Sequence, residues 1–366
     1  MKKIMAILIV IQIFGTIPSL SVEMVKNNTN SLPDYFCYRD INGIDYTTPI
    51  KDQTPAPTCE AYALCAALET IMQYQTGEIF EPDLSDCHLY FKAGGTYQAG
   101  YVNLIDAANY LVEHGVPDEG CYPDPHRPFD YPFESLDGWQ NRTVKIESWG
   151  WVDHDVDSIK NALIEYGPLV ICQWVYNDFF YYRGGVYKNR PRLFLRGGHV
   201  ITIVGYDDSK QCWIVKNSWG SNWGEKGWYR MAYDANMITD RWYGNGSGIM
   251  YLDGVYGNFK PDVPKVYIQK PNYGKTYIFG IEFKTIIKRL PIQGSAARIL
   301  GNLEVKIKAE NTDLVEFYID NKLIDVDYEA PFNCNIRTSR GHHTLEARAY
   351  KNENVSIDIR DFYSFF

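Results

Sequence analysis

The sequence predicts an α+β domain followed by an all-β domain, and three observations carry that reading. Helical patterns crowd the first half, with Ala61, Leu64, Cys65, Leu68, Ile71 and Met72 on one face of a helix over Thr58–Gln75. After Gly167-Pro168 the pattern turns to short apolar runs broken by turn residues, so helices precede an antiparallel sheet. Beyond a proline-bearing stretch at Gly257–Pro264, apolar and polar residues alternate with the period of half-buried strands. The length of 366 residues suits two domains, and 45% hydrophobic against 22% charged residues suffices to bury cores.

At the N-terminus, Lys2 and Lys3 precede an apolar run from Ile4 to Phe14, followed by Gly15, Pro18, Ser19 and Ser21. This is the layout of an export signal over residues 1–21, cleaved after Ser21. The competing reading is an uncleaved anchor, for which the run is short. Cleavage removes two lysines and takes the net charge from −9 to −11. No later stretch has the length and apolarity of a membrane span, so the mature protein is expected to be secreted or associated with the cell surface.

Residues 22–258 form the α+β domain. Thr58 is placed to cap its first helix and Gly77 to end it. Further helices are expected at Asn103–His114 and Val156–Tyr166, and strands at Leu169–Val175, His199–Gly205 and Cys212–Lys216. The prolines of the connector make it a semi-rigid spacer. Residues 259–366, connector included, read as an antiparallel β-sandwich. Leu303, Val305, Ile307 and Ala309 alternate with polar residues, as do Val315, Phe317 and Ile319. Asp320-Asn321 then reads as a turn, and another strand runs from His343 to Tyr350.

The acidic balance argues against a nucleic-acid partner. Eight cysteines are too few for a disulfide scaffold, so each is read singly. Neither a C-x-x-C pair nor a histidine cluster points to a metal, and no cofactor is expected.

Cys59 falls in the first turn of the Thr58–Gln75 helix, where free backbone N–H groups and the helix dipole bias a thiol towards thiolate. Alone it would read as a buried structural thiol, the commoner role. His199 opens a strand after Gly197-Gly198, and alone would read as a hydrogen-bonded core histidine. The next strand ends Lys216-Asn217-Ser218-Trp219-Gly220, and a hairpin centred on Asp208 puts Asn217 opposite His199. Asn217 then orients the imidazole as third member of a nucleophile–base–orienter set, and Trp219 shields their bond from water. Gln53, six residues before Cys59, offers an amide to a developing oxyanion, with the Cys59 backbone N–H as second donor. Lys188, Arg190, Arg192 and Arg196 make a basic loop before His199, more simply a solvated loop than a site for acidic substrates.

Gln53, Cys59, Gly198-His199 and the block Asn217-Ser218-Trp219-Gly220-Ser221-Asn222-Trp223-Gly224-Glu225-Lys226-Gly227-Trp228 together resemble the papain family of cysteine peptidases. In that family histidine and asparagine follow the cysteine by roughly 130–150 residues; here the separations are 199 − 59 = 140 and 217 − 59 = 158. Leu32-Pro33-Asp34-Tyr35 and Tyr181-Tyr182-Arg183-Gly184-Gly185-Val186-Tyr187 also resemble family segments, so the likeness covers about residues 32–256. The resemblance implies a two-lobed fold, helical lobe plus antiparallel β lobe, with protein or peptide substrates. It implies Cys59 as nucleophile, His199 as base and acid, Asn217 as orienter and Gln53 in the oxyanion hole. It further implies a disulfide between Cys87 and Cys121. The chain departs from the family pattern in three places: Ala56 and Tyr97 stand where another bridge is usual, and Glu60 stands where an aromatic follows the nucleophile.

The C-terminal region resembles an immunoglobulin-like module of prokaryotic surface proteins. The likeness rests on Val315-Glu316-Phe317-Tyr318-Ile319-Asp320-Asn321-Lys322-Leu323, Glu329-Ala330-Pro331-Phe332 and Gly341-His342-His343-Thr344-Leu345. A module of this kind implies a cell-surface or polymer ligand. The leading expectation is therefore an exported cysteine endopeptidase. A catalytically impaired fold acting as a surface binding protein is the alternative, kept open by Glu60. A transglutaminase-like acyltransferase needs an aspartate orienter, and Asp207 and Asp208 sit too near His199 for that role.

Overall fold

The computed structural model describes residues 31–124, 134–189, 194–235, 248–284 and 296–365. The expected export signal and two residues of the basic loop, Arg190 and Arg192, lie outside them. Lys188 pairs with Asp234 on the surface. Among the described residues no helix is long and apolar enough to cross a membrane.

Among the described residues, four helices precede or interrupt the first sheet: α1 (Cys59–Thr76), α2 (Asp86–Lys92), α3 (Leu104–Glu113) and α4 (Val156–Tyr166). Gly77 ends α1 in the left-handed conformation, as expected, but the Thr58 side chain makes no capping bond. The apolar face foreseen for α1 is buried, yet so is most of its polar face. That burial is tolerated because the polar groups are paired. Glu69 accepts from Thr48 Oγ1 and the Leu84 N–H, Gln73 accepts from Phe80 and Glu81 N–H, and Tyr62 donates to Asp124.

An eight-stranded sheet follows. Its main path runs Ser148–Trp151, Ile249–Asp253, Leu169–Tyr176, Leu195–Asp207, Cys212–Lys216, Trp228–Ala232 and Val186–Tyr187, and Tyr35–Cys37 pairs with the end of Leu195–Asp207. Helix α1 lies against the Leu195–Asp207 strand, where Thr202 Oγ1 donates to Ala63 O at 2.9 Å. A bulge between Ile203 and Gly205 shifts the hairpin register. Gly205 is required there, since a Cβ would fall 2.4 Å from Phe36 O. The observed pairs, Tyr206 with Trp213 and Thr202 with Lys216, continue to Ile201 opposite Asn217 rather than His199.

The C-terminal region forms a seven-stranded and a three-stranded sheet that share one core, including Val266, Leu303, Val305, Phe317, Ala347 and Phe362. The alternating segments form strands at Leu303–Glu310, Leu314–Ile319 and Gly341–Lys351, and Asp320 and Asn321 turn with positive φ. It is not wholly antiparallel. Ala297–Leu300 lies parallel to both Lys275–Ile278 and Asn354–Ser364.

The connector is held along the first domain rather than spanning free. Tyr256 and Gly257 pair with Lys145 and Val144, and Asn258 donates from its backbone to Thr143 O. The two regions also share a buried apolar cluster of Cys87, Tyr122, Ile357 and Ile359. Here the expected Cys87–Cys121 disulfide is absent: both thiols are free and buried. Cys87 packs instead against Ile357 and Ile359, while Cys121 Sγ lies 3.9 Å from Asp118 Oδ2.

Candidate active site

Of the eight cysteines, seven are buried and Cys59 alone is partly exposed. The Cys59 sulfur meets three groups. Glu60 Oε2 accepts from it at 3.6 Å, the Val200 backbone N–H faces it, and Cys172 lies near enough to add charge repulsion were both ionised. Burial first and the Glu60 carboxylate second hold the thiol well above its ordinary range, with the Val200 N–H pulling weakly the other way. This corrects the expectation of a thiolate at the helix N-terminus. A dipole contribution of about 1 kcal/mol is too small against desolvation beside a carboxylate.

His199 is buried, and its Nε2 lies 2.7 Å from Asn217 Oδ1. Asparagine oxygen accepts, so this contact assigns the ring proton to Nε2 and leaves Nδ1 as the basic nitrogen. The same Oδ1 accepts the Ser218 N–H at 2.8 Å, which fixes the amide orientation. Burial lowers the His199 pKa to about 4, opposed by the Asn217 bond, so the ring is neutral around pH 7. The Trp219 ring stacks on the imidazole at 4.7 Å and 26° and covers it. His199, Asn217 and Trp219 thus meet in one place, on the diagonal because Asp207 pairs with Cys212 and the turn is centred beyond Asp208.

Gln53 comes to the same place by a short bridge between Asp52 and Trp219. Its backbone N–H donates to Ser218 O at 2.9 Å, and its Oε1 accepts from Ser218 Oγ at 2.6 Å. Its Nε2 donates to Ala56 O at 3.1 Å, which uses one of the two amide protons. Sequence reasoning missed Ser218 as the group that turns the Gln53 amide; its place directly after Asn217 was the available signal. It also missed that Val200, beside His199, presents its N–H to Cys59. Among the described residues no group of three or more metal-ligating side chains is placed to hold an ion.

A thiol, a neutral imidazole bonded to an amide oxygen and a glutamine amide are the kinds of group that nucleophilic acyl transfer employs. Residues 32–246 match the model of the papain family of cysteine proteases. Zingipain-2 of Zingiber officinale is 31% identical over 213 residues, 55% of this chain and 88% of that protein. Cathepsin B-like CP1 of Giardia intestinalis is 28% identical over 258 residues, 65% of this chain and 80% of that protein. Xylellain, a cysteine protease from Xylella fastidiosa, superposes with a TM-score of 0.52 at 24% identity, over 62% of this chain and 88% of its own, and shows the shared fold. The bromelain protease from Ananas comosus, solved in complex with the E64 inhibitor, gives 0.50 at 26% identity over 61% of this chain and all of its own. The family match covers more than half of the 366 residues, and the chain belongs to the papain family of cysteine proteases.

Proposed function

We propose that this peptidase is exported and cleaves peptide bonds within protein substrates through Cys59, His199 and Asn217, with Gln53 and the Cys59 backbone N–H stabilising the oxyanion. The observation that carries the reading is the 2.7 Å bond from His199 to Asn217 beside the single partly exposed cysteine. His199 Nδ1 takes the Cys59 proton as the sulfur attacks the carbonyl carbon, and the carbonyl electrons move to oxygen. The tetrahedral species collapses to a thioester as the protonated imidazole gives its proton to the leaving amine. Water then attacks the thioester, His199 takes one of its protons, and the carbon–sulfur bond breaks to return the thiol. Export rests on the charged and apolar layout of the first 21 residues. The C-terminal sheets are read as an immunoglobulin-like module with a cell-surface or polymer ligand. An epoxide directed at peptidase thiols tests the core of this reading. Labelling mapped to Cys59, with loss of hydrolysis, supports it; hydrolysis unchanged in Cys59→Ala overturns it.

A further inference from the structure

Resting on the cell-surface reading above and deepening it, we infer that the C-terminal sheets carry a docking tip that enters an anionic lipid surface. The tip is the hairpin of Lys275–Ile278 and Ile281–Lys284, which forms one edge of the seven-stranded sheet. Ile278 pairs with Ile281, so Phe279 and Gly280 make the whole turn. Phe279 is 70% exposed and Ile281 65%, and Ile278 and Phe283 are exposed beside them. Side chains alternate along a strand and face their cross-strand partners, so Ile278, Ile281 and Phe283 stand on one face. A contiguous apolar patch at the end of a sheet is unfavourable in water until something covers it.

The turn itself marks the patch as selected. Both of its residues have positive φ, +47° at Phe279 and +81° at Gly280, a backbone for which Asn-Gly is the favoured pair. Phenylalanine is held there against its own preference and against solvent, where asparagine would cost less on both counts. The surroundings enforce it. The Phe279 N–H donates to Leu300 O at 2.8 Å, and Lys270 Nζ donates to the Gly280 carbonyl at 2.9 Å. Gly301 clears space for the ring, since a Cβ there would lie 2.6 Å from Phe279 Cδ1.

Charge identifies the partner. Between Lys270 and Leu300 the sequence carries Lys270, Lys275, Lys284, Lys288, Arg289 and Arg298 against Glu282 alone, a net of +5 (6 − 1). The whole chain stands at −9, which leaves −14 (−9 − 5) on the rest. Glu282 is itself held by Lys275 Nζ at 2.7 Å and by the Tyr277 hydroxyl at 3.1 Å. A nucleic acid would meet the cations and leave the apolar tip in water. A second copy of the chain would cover the tip but bring a like charge against it. An anionic bilayer offers headgroup charge to the cations and hydrocarbon just beneath to Phe279 and Ile281.

The test uses the full chain and vesicles of phosphatidylcholine, alone or mixed equally with phosphatidylglycerol, with binding read by flotation. The expected result is binding to the mixed vesicles about tenfold or more tighter than to the neutral ones, weakening as salt is raised. Phe279→Asn should weaken it about tenfold or more, yet unfold at no lower temperature than the wild type, because it relieves the turn. Ile281→Thr, which keeps a strand-forming residue, should weaken binding likewise. Hydrolysis of a small peptide amide should be unchanged in both variants. Absence of binding, equal binding to both kinds of vesicle, or binding unchanged in both variants overturns the inference while leaving the peptidase reading intact. Retention on insoluble peptidoglycan without vesicle binding overturns it and upholds the surface-ligand reading. A concentration-dependent dimer that both variants lose also overturns it, since the tip is then a contact between copies.

Discussion

Asn217 Oδ1 lies 2.7 Å from His199 Nε2 although the hairpin register does not place the two residues opposite each other. The turn pairs Asp207 with Cys212, and the bulge at Ile203–Gly205 then brings Asn217 opposite Ile201, two residues from His199 and on the same face, so the side chains meet on the diagonal. Orientation of the imidazole thus depends on that bulge as well as on the amide.

Asn217→Ala should leave His199 in place but free its ring to turn. We expect kcat to fall about a hundredfold with KM little changed, since a misoriented base loses much of its contribution. Cys59→Ala should abolish turnover outright. Steady-state kinetics on one peptide amide compare them, and equal losses in both variants would deny Asn217 an orienting role.

The Glu60 carboxylate stabilises the protonated thiol of Cys59, so removing its charge should favour the thiolate. In Glu60→Gln the pH midpoint for alkylation of Cys59 should therefore move down, by about one to three pH units. His199, neutral above about pH 4, does not titrate within the neutral range and should not mask the shift. Alkylation rates measured from pH 5 to 10 check this, and an unmoved midpoint would mean that burial alone sets the thiol.

Local pattern was enough to read helix α1, its Gly77 stop and the strands around His199 and Asn217, because each is written in neighbouring residues. What could not be read depended on distant chain. At the bulge Gly205 passes close to Phe36, 169 positions away along the sequence (205 − 36). The burial of α1 on its polar side depends on loop groups that saturate Glu69 and Gln73. The family likeness suggested a bridge at Cys87, but the C-terminal strand Asn354–Ser364 packs on that thiol, a contact that no motif in the first domain announces.

Seven of the eight cysteines should be inert in the folded protein. Cys87 and Cys121 are buried, and burial followed by neighbouring carboxylates raises both thiols, so their thiolates are scarce at neutral pH. Iodoacetamide at pH 7.5, about one unit below an unperturbed cysteine, should modify Cys59 alone, slowly, and all eight residues in denaturant. A non-reducing peptide map that links Cys87 to Cys121 would reinstate the bridge.

The C-terminal sheets are joined to the peptidase through Arg142. Arg142 donates through Nε to Asp118 Oδ2 at 2.7 Å, and across the boundary to Val355 O at 2.7 Å and Ser356 Oγ at 2.9 Å. Beside it, Gly120 leaves no room for a Cβ, which would fall 2.7 Å from Ser356. Arg142→Ala would strand a partly buried carboxylate and a carbonyl, at a cost of about 2–4 kcal/mol. The peptidase has apolar clusters of its own, among them one around Leu64 and Leu111 and one around Trp213 and Tyr229, and none of the four site residues touches Arg142 through the bonds above. The variant should therefore unfold at lower temperature, with the C-terminal sheets loosening first, while a small peptide amide is still cleaved. Hydrogen exchange should report faster opening of Asn354–Ser364 than of α1. Uniform destabilisation with a matching loss of turnover would instead make the joined region a single cooperative core.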